Sequence, residues 1–519
     1  MKNLISSIIL IFFCALVLTL SLRGIAGSPD DYTLNEAYWT EDGPLELSPE
    51  RGKFALTYSI IENNSVNFSL PVARFVTPDL GFHNGNYVSL FAPGISLLTI
   101  PGYIIGKAFG YSQVGTYGVI ALVALLNVFL IRSILRRLGV NDLIASLSAL
   151  CFLFATSAFT YAVSLYQHHV STFIILLSIY LLVRFKSAWS LTVIWFLLAA
   201  SLLIDSPNFF LMFPIGVFAL GRLVNLKKSE RSIRVGVNIL GSLTVLAALI
   251  PLLFFGWFNK ISFGDPLQLA GTVASVKAID ENGKPATPED AGTENLEAYT
   301  NPGKQNKDAI GFFRTRNLLN GFYIHLFSPD RGLIYYAPVM MLGLIGIFYF
   351  YKKNQALSGL FLAIIGTNIL LYSMWGDPWG GWAFGSRYLI PTYAMLAIFL
   401  GFTLWHLNRY LLFTVLFLAL FIYSVAVNTV GAITSSRNPP QVEVLGLEEL
   451  SGVEQKYTFD RNFDMLDVNK SKSFFFNTFA SKYLSAWQYY FLLVCFIVIP
   501  AITLVAMDKL FRRDAYVKN

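Results

Sequence analysis

The chain has 519 residues, of which 55% are hydrophobic, 15% aromatic and only 13% charged, with a formal net charge of +7. A soluble globular domain carries roughly 25% charged residues; that deficit, with repeated apolar runs of about 20 residues, excludes a soluble protein and reads as an all-α polytopic membrane protein. The excess of Lys and Arg is no nucleic-acid signature, because it falls in short clusters at the ends of apolar runs, where orientation in a bilayer requires it.

Taken in chain order, the first apolar run (Leu4 to Leu22) follows Met1-Lys2-Asn3. It is longer than the core of a secretory signal, so it reads as an uncleaved span. A long polar excursion follows, over 24–113. Within it Ser48 can cap a helix, Pro49 suits a first helical position, and Glu50 complements the N-terminal dipole. Phe54, Tyr58 and Ile61 then recur at helical spacing, which predicts an amphipathic helix on the membrane surface. Glu50 has two readings: a first-turn helix residue, or a carboxylate acting as general base at the membrane boundary. The apolar stretch Ser89 to Phe109 contains Pro93-Gly94 and Pro101-Gly102, which interrupt a helix. As a crossing it would also put Arg132, Arg136 and Arg137 outside, so it reads as an interfacial or re-entrant pair of short helices.

Further spans fall at 116–135, 142–162, 168–184, 188–204, 208–223, 235–257, 333–351, 357–374, 388–406, 409–431 and 486–506. With the first, that makes about twelve transmembrane helices, with both termini expected in the cytoplasm by the positive-inside pattern and the plasma (inner) membrane as the expected home. The chain thus divides into a first helix (1–23), an outer loop (24–113), a transmembrane module (114–257), an outer loop (258–332), transmembrane helices (333–431), an outer loop (432–485), and a last helix with its tail (486–519). Ala278 to Asp308 has a loop composition.

Candidate chemistry gathers on the outer side. His168-His169 follows Tyr166-Gln167; adjacent histidines face different sides of a helix and cannot easily share a metal. Either histidine serves equally as an interfacial hydrogen-bonding residue. Asp205 caps the helix near Pro207 or belongs to a cluster of ionisable groups at membrane depth, where such groups are costly. Trp375 to Tyr388 holds Trp375, Trp379 and Trp382 interleaved with four glycines. It reads as an aromatic belt or as tight backbone against a ligand, with Arg387 and, from Ser328-Pro329-Asp330-Arg331-Gly332, Arg331 as forks for a phosphate. Cys14, Cys151 and Cys495 lie in apolar runs without metal spacing.

Several segments together resemble polytopic glycosyltransferases of the GT-C fold, a group that includes the protein O-mannosyltransferases and the aminoarabinose transferase that modifies lipid A. Glu50-Arg51-Gly52-Lys53-Phe54-Ala55-Leu56-Thr57 is similar to a "DEGRYxLT" region, and Asn84-Gly85-Asn86-Tyr87 with Ala92-Pro93-Gly94 to "NGxYYSxKAPG". Tyr166-Gln167-His168 is similar to "YGH", Phe263-Gly264-Asp265-Pro266 to "FGSP", and Leu326-Phe327-Ser328-Pro329-Asp330-Arg331-Gly332-Leu333 to "LFSPxRGL". Trp379 to Leu389 resembles "WGGWSFGPRYL". Phe91 stands where relatives carry Lys, and Glu50-Arg51 replaces an acidic pair. The resemblance implies transfer of a sugar from a polyprenyl-phosphate carrier to a lipid, glycan or protein acceptor on the outer face, with inversion. It implies Glu50 as base with His168 and Asp205 in the catalytic set. Arg51, Arg331, Arg387, Tyr388, Trp379 and Trp382 would bind the lipid phosphate or substrate. It implies no bound cofactor and no metal ligands, and leaves a divalent cation open. The competing classes are a transporter or flippase of lipid-linked sugars, and an inactive membrane scaffold.

Overall fold

The computed structural model describes residues 2–229, 232–286 and 313–517. Most of the loop expected over Ala278–Asp308 lies outside them, as do Glu230 and Arg231 of one basic cluster. The first span is α1 (Lys2–Ser21); the outer excursion carries α2 (Ser48–Glu62), α3 (Leu70–Val76), strands β1 (Leu80–His83) and β2 (Asn86–Ser89), and α4 (Gly94–Ala108). There follow α5 (Ser112–Arg137), α6 (Asp142–Phe154), α7 (Ala158–Ala162), α8 (His168–Arg184), α9 (Ala188–Ile204) and α10 (Asn208–Leu220). A hairpin of β3 (Val224–Ser229) and β4 (Ser232–Val237) leads into α11 (Ile239–Leu243), α12 (Leu249–Phe263) and the short β5 (Ser275–Val276). The remainder comprises α13 (Leu318–Leu326), α14 (Leu333–Tyr336), α15 (Gly343–Lys353), α16 (Gln355–Ser373), α17 (Ile390–Leu407), α18 (Leu411–Ile433), α19 (Gln441–Ser451), α20 (Asp460–Asp467) and α21 (Ala486–Val517).

Among the described residues, six helical runs are long and apolar enough to cross a membrane: Ser112–Arg137, Gly241–Phe263, Gln355–Ser373, Arg387–Leu407, Leu411–Ile433 and Ala486–Phe511. Shorter apolar helices, α6, α8, α9 and α10 among them, accompany these. Large apolar side chains stay exposed along α10 and α12, including Phe213, Leu253 and Trp257. Such a surface suits lipid better than water, as expected of an integral membrane protein.

The structure corrects the sequence reading at five places. The chain is not all-α: β1 pairs antiparallel with both β2 and β5, and β3 with β4. The β1–β2 turn is Asn84-Gly85, with φ of 48° and 79°, the residues that a two-residue hairpin turn favours. Ser89 to Phe109 holds one helix rather than two, with Pro101 inside it. Its 15 residues span about 22 Å, less than the ~30 Å of a bilayer core. Gly102, one of the glycines that suggested a break, instead brings α4 against α5, because a Cβ there would collide with the Gly115 carbonyl. The span expected at 142–162 is interrupted between α6 and α7, where Thr156 Oγ1 donates back to the Phe152 carbonyl (2.7 Å). That at 333–351 is interrupted at Pro338. Finally, α2 is no surface helix: Gly52 through Ser59 are all buried. Its N-cap is Leu47 without a side-chain bond, and the Ser48 hydroxyl donates to Asp79 Oδ2 (2.5 Å) instead.

Candidate active site

A cavity of about 500 Å³ opens where the start of α2, the β2–α4 connection, the Tyr166-Gln167 turn, the end of α9 and the Arg387-Tyr388 segment converge. One end is polar, with Lys53, Gln167, Asp205 and Arg387; the other is walled by Phe209, Phe210, Phe255, Phe313 and Trp375. Two glycines bring its walls together. A Cβ on Gly52 would lie 2.5 Å from the Phe91 ring, and one on Gly94 2.5 Å from the Leu203 carbonyl oxygen. Hence Phe91 packs directly on the α2 backbone, and the head of α4 rests on the last turn of α9. Thr57 Oγ1 donating to the Ser96 carbonyl (2.9 Å) and Ser96 Oγ donating to the Lys53 carbonyl (2.9 Å) hold α2 to α4.

Lys53 is the residue that sequence reasoning missed. Its Nζ donates to the Pro49 carbonyl (2.9 Å) and lies 4.5 Å from the Phe91 ring centre and 5.3 Å from that of Tyr166. Burial pushes its ammonium down to about 7, Arg387 adds to the effect, and Asp205 and Glu50 oppose it. The Arg387 guanidinium covers the same Tyr166 ring at 4.9 Å and donates from Nη2 to the Gly380 carbonyl (2.6 Å), while its Nε has no acceptor. Gly380 takes φ +73°, and a Cβ there would stand 3.1 Å from Arg387 Nε, so the position needs glycine on both counts. Tyr388 stacks on Tyr372 (4.1 Å, 7°). Asp205 Oδ2 accepts from Gln167 Nε2 (2.9 Å), and burial pushes its carboxyl up. Its side chain does not cap α10, whose N-cap is Pro207 without a side-chain bond.

Of the nine residues nominated from sequence, Asp205, Arg387 and Tyr388 line this cavity. Glu50 and His168 lie behind its wall. Glu50 is fully buried; its Oε1 accepts from the Leu165 amide (3.3 Å), and Oε2 has no partner. Burial pushes its carboxyl up to about 7, with Arg23 pulling it down and Glu46 pushing it up. The His168 ring stacks on Tyr166 and meets Tyr388 edge-on (both 6.0 Å), with Nε2 unpartnered. The other four are elsewhere. Arg51 donates to the Thr77 carbonyl (2.9 Å). Arg331, fully buried, donates to the carbonyls of Asp330, Trp379, Gly381 and Asn438; it braces the Trp379–Gly381 loop and has no free edge for a phosphate. Trp379 contributes a carbonyl to that brace, and Trp382 Nε1 donates to Glu443 Oε2 (2.5 Å). Among the described residues no cluster of three or more His, Cys, Asp or Glu could hold a metal ion.

No protein-family model and no curated protein matches the chain. Two solved structures are similar to it over most of its length. ArnT from Cupriavidus metallidurans in the apo state is 11% identical, with a TM-score of 0.46, covering 96% of this chain and 75% of that one. The same protein bound to undecaprenyl phosphate is 11% identical, with a TM-score of 0.45, covering 98% and 78%.

Proposed function

We propose that the protein is a membrane glycosyltransferase that takes a sugar from a polyprenyl-phosphate carrier and passes it, with inversion, to an acceptor on the outer face. The observation that carries this reading is the cavity's polarity: two cations and a carboxylate at one end, an aromatic wall at the other. A phosphate between Lys53 and Arg387 would meet two positive charges, Arg387 with a donor still free, and the isoprenoid would lie along Phe209, Phe210, Phe313 and Trp375. Lys53 thus supplies beside Phe91 the cation that the motif resemblance expects at the Phe91 position.

In the transfer, the acceptor oxygen forms a bond to the anomeric carbon while the bond from that carbon to the phosphate oxygen breaks. The carrier phosphate leaves with the electron pair, and the two cations stabilise the charge it gains. The acceptor proton passes to a carboxylate, for which Glu50 is the choice. One of its oxygens is unpartnered, and a pKa near 7 suits a general base. Asp205 faces the sugar, and His168 is a positioning residue acting through Tyr166 and Tyr388. Among the described residues Asp205 is the one carboxylate lining the cavity, so a divalent cation would be held chiefly by the phosphate. Both termini are assigned to the cytoplasm.

Undecaprenyl-phosphate sugar supplied to purified protein tests the reading. E50Q should abolish transfer while retaining carrier binding, and R387Q should lose carrier binding. Full activity in E50Q would remove Glu50 as the base, and loss of transfer in D205N beside an active E50Q would pass that role to Asp205.

A further inference from the structure

A second cavity, of about 850 Å³, lies on the other side of the α2 start: Pro49 and Lys53 line the first, Glu46 the second. Most of its lining comes from 435–477, a stretch that the motif resemblance does not reach. The charges here are largely matched. Buried Glu46 lies 3.6 Å from Arg23 and 3.4 Å from Lys472 and accepts from Ser435 Oγ (2.8 Å), and the exposed Lys456 pairs with Asp464 at 2.7 Å.

Arg437 and Arg461 are the exception. Both line the cavity half-buried. Among the described residues neither guanidinium has a carboxylate within 4.0 Å or a hydrogen-bond acceptor. They share one aromatic support, with their Cζ atoms 5.2 Å and 5.9 Å from the Trp382 ring centre, and that ring is fixed by its bond to Glu443. Burial, then the charge of Arg437, lowers the pKa of Arg461, and the same two causes lower that of Arg51. Guanidiniums close enough to repel one another, partly desolvated and without a counter-ion, are an arrangement that an anion relieves. Around them the lining offers neutral hydrogen-bonding groups (Gln455, Asn469, Ser471, Asn477). Exposed acids at Glu41, Asp42 and Glu454 disfavour a ligand charged along its length and suit hydroxyl donors.

We propose that this cavity binds a hydrophilic saccharide bearing one anionic group, phosphate or carboxylate, through Arg437 and Arg461. That this saccharide is the acceptor rests on the glycosyltransferase reading; the anion binding does not.

Calorimetric titration of the full-length protein in detergent with glucose 6-phosphate, glucuronate and glucose tests it. At least one charged probe should bind, glucose at least about tenfold more weakly, and R437Q/R461Q should weaken the charged probe by about tenfold or more. R387Q should leave in place the part of that binding which R437Q/R461Q removes. Retained undecaprenyl-phosphate binding shows that the double variant is folded; should it not fold, the single variant R461Q replaces it. Equal binding of charged and neutral probes, no binding at all, or loss of binding in R387Q with none in the arginine variants would overturn the proposal. Anion binding that persists without any sugar transfer would instead sink the acceptor role alone.

Discussion

Lys53 and Glu50 sit one helical turn apart on α2, both buried, and each shifts the other toward its charged form. Burial works against both and outweighs that mutual help, bringing the carboxyl up and the ammonium down to about 7. A base that must be ionised and an ammonium that must stay protonated give a bell-shaped kcat/KM profile centred near pH 7. K53R should remove the alkaline limb, since arginine stays protonated, and leave the acid limb of Glu50 in place; a K53R profile identical to wild type would contradict this. The stability linkage has a definite sign. With the Glu50 carboxyl raised from 4.5 to about 7, the folded state holds the proton longer, so wild type loses stability as pH rises through that window. The Tm of E50Q relative to wild type should therefore climb between pH 4.5 and 7. Asp205, Arg387 and Tyr388 were legible in the sequence because ionisable or tyrosyl groups at outer span ends are locally unusual. Lys53 was not, because a lysine on a helix ordinarily reads as solvated; only the packing of Phe91 across Gly52 encloses it. Arg331 was conspicuous for the same reason as Arg387, but nothing local distinguishes an arginine that meets a phosphate from one that meets four carbonyls.

At the level of elements, the cavity depends on close approaches that glycine permits. G52A gains about 1 kcal/mol of helix propensity, yet its methyl would enter the Phe91 ring. Carrier binding should weaken although the helix itself is favoured, and undiminished binding would show that Phe91 can yield. At Gly94 the obstacle is the Leu203 backbone carbonyl, which cannot rotate away. G94A should lower stability by about 1–3 kcal/mol, read as detergent-state Tm, and detach the head of α4 from the helix that ends at Asp205. Helices at 168–184 and 188–204 match the sequence reading residue for residue, because uninterrupted apolar runs between polar ends leave little choice. The Asn84-Gly85 turn carried a local hairpin signal, but β5 was not legible, since it contributes only Ser275-Val276 and pairs across nearly 200 positions of chain.

At the scale of the molecule, a buried ionic knot joins the first and last outer segments. Arg23 donates to the Ala432 and Gly431 carbonyls (3.2 and 2.8 Å) and pairs with Glu46, which also meets Lys472. Removing one partner strands the others, so R23A should cost about 3–5 kcal/mol, measured by unfolding of the purified protein, and a near-neutral effect would argue against the knot. The assigned orientation makes an independent prediction. A cysteine at Glu454 should react with a membrane-impermeant maleimide from outside, one at Arg137 only after permeabilisation, and the reverse pattern would invert the topology. The central claim is that the first cavity holds a lipid phosphate between Lys53 and Arg387. A structure of the protein with undecaprenyl phosphate tests this most directly: the account expects the phosphate within hydrogen-bonding distance of both side chains and the isoprenoid along Phe209, Phe210, Phe313 and Trp375. A phosphate seated against Arg437 and Arg461, or at neither site, would contradict it.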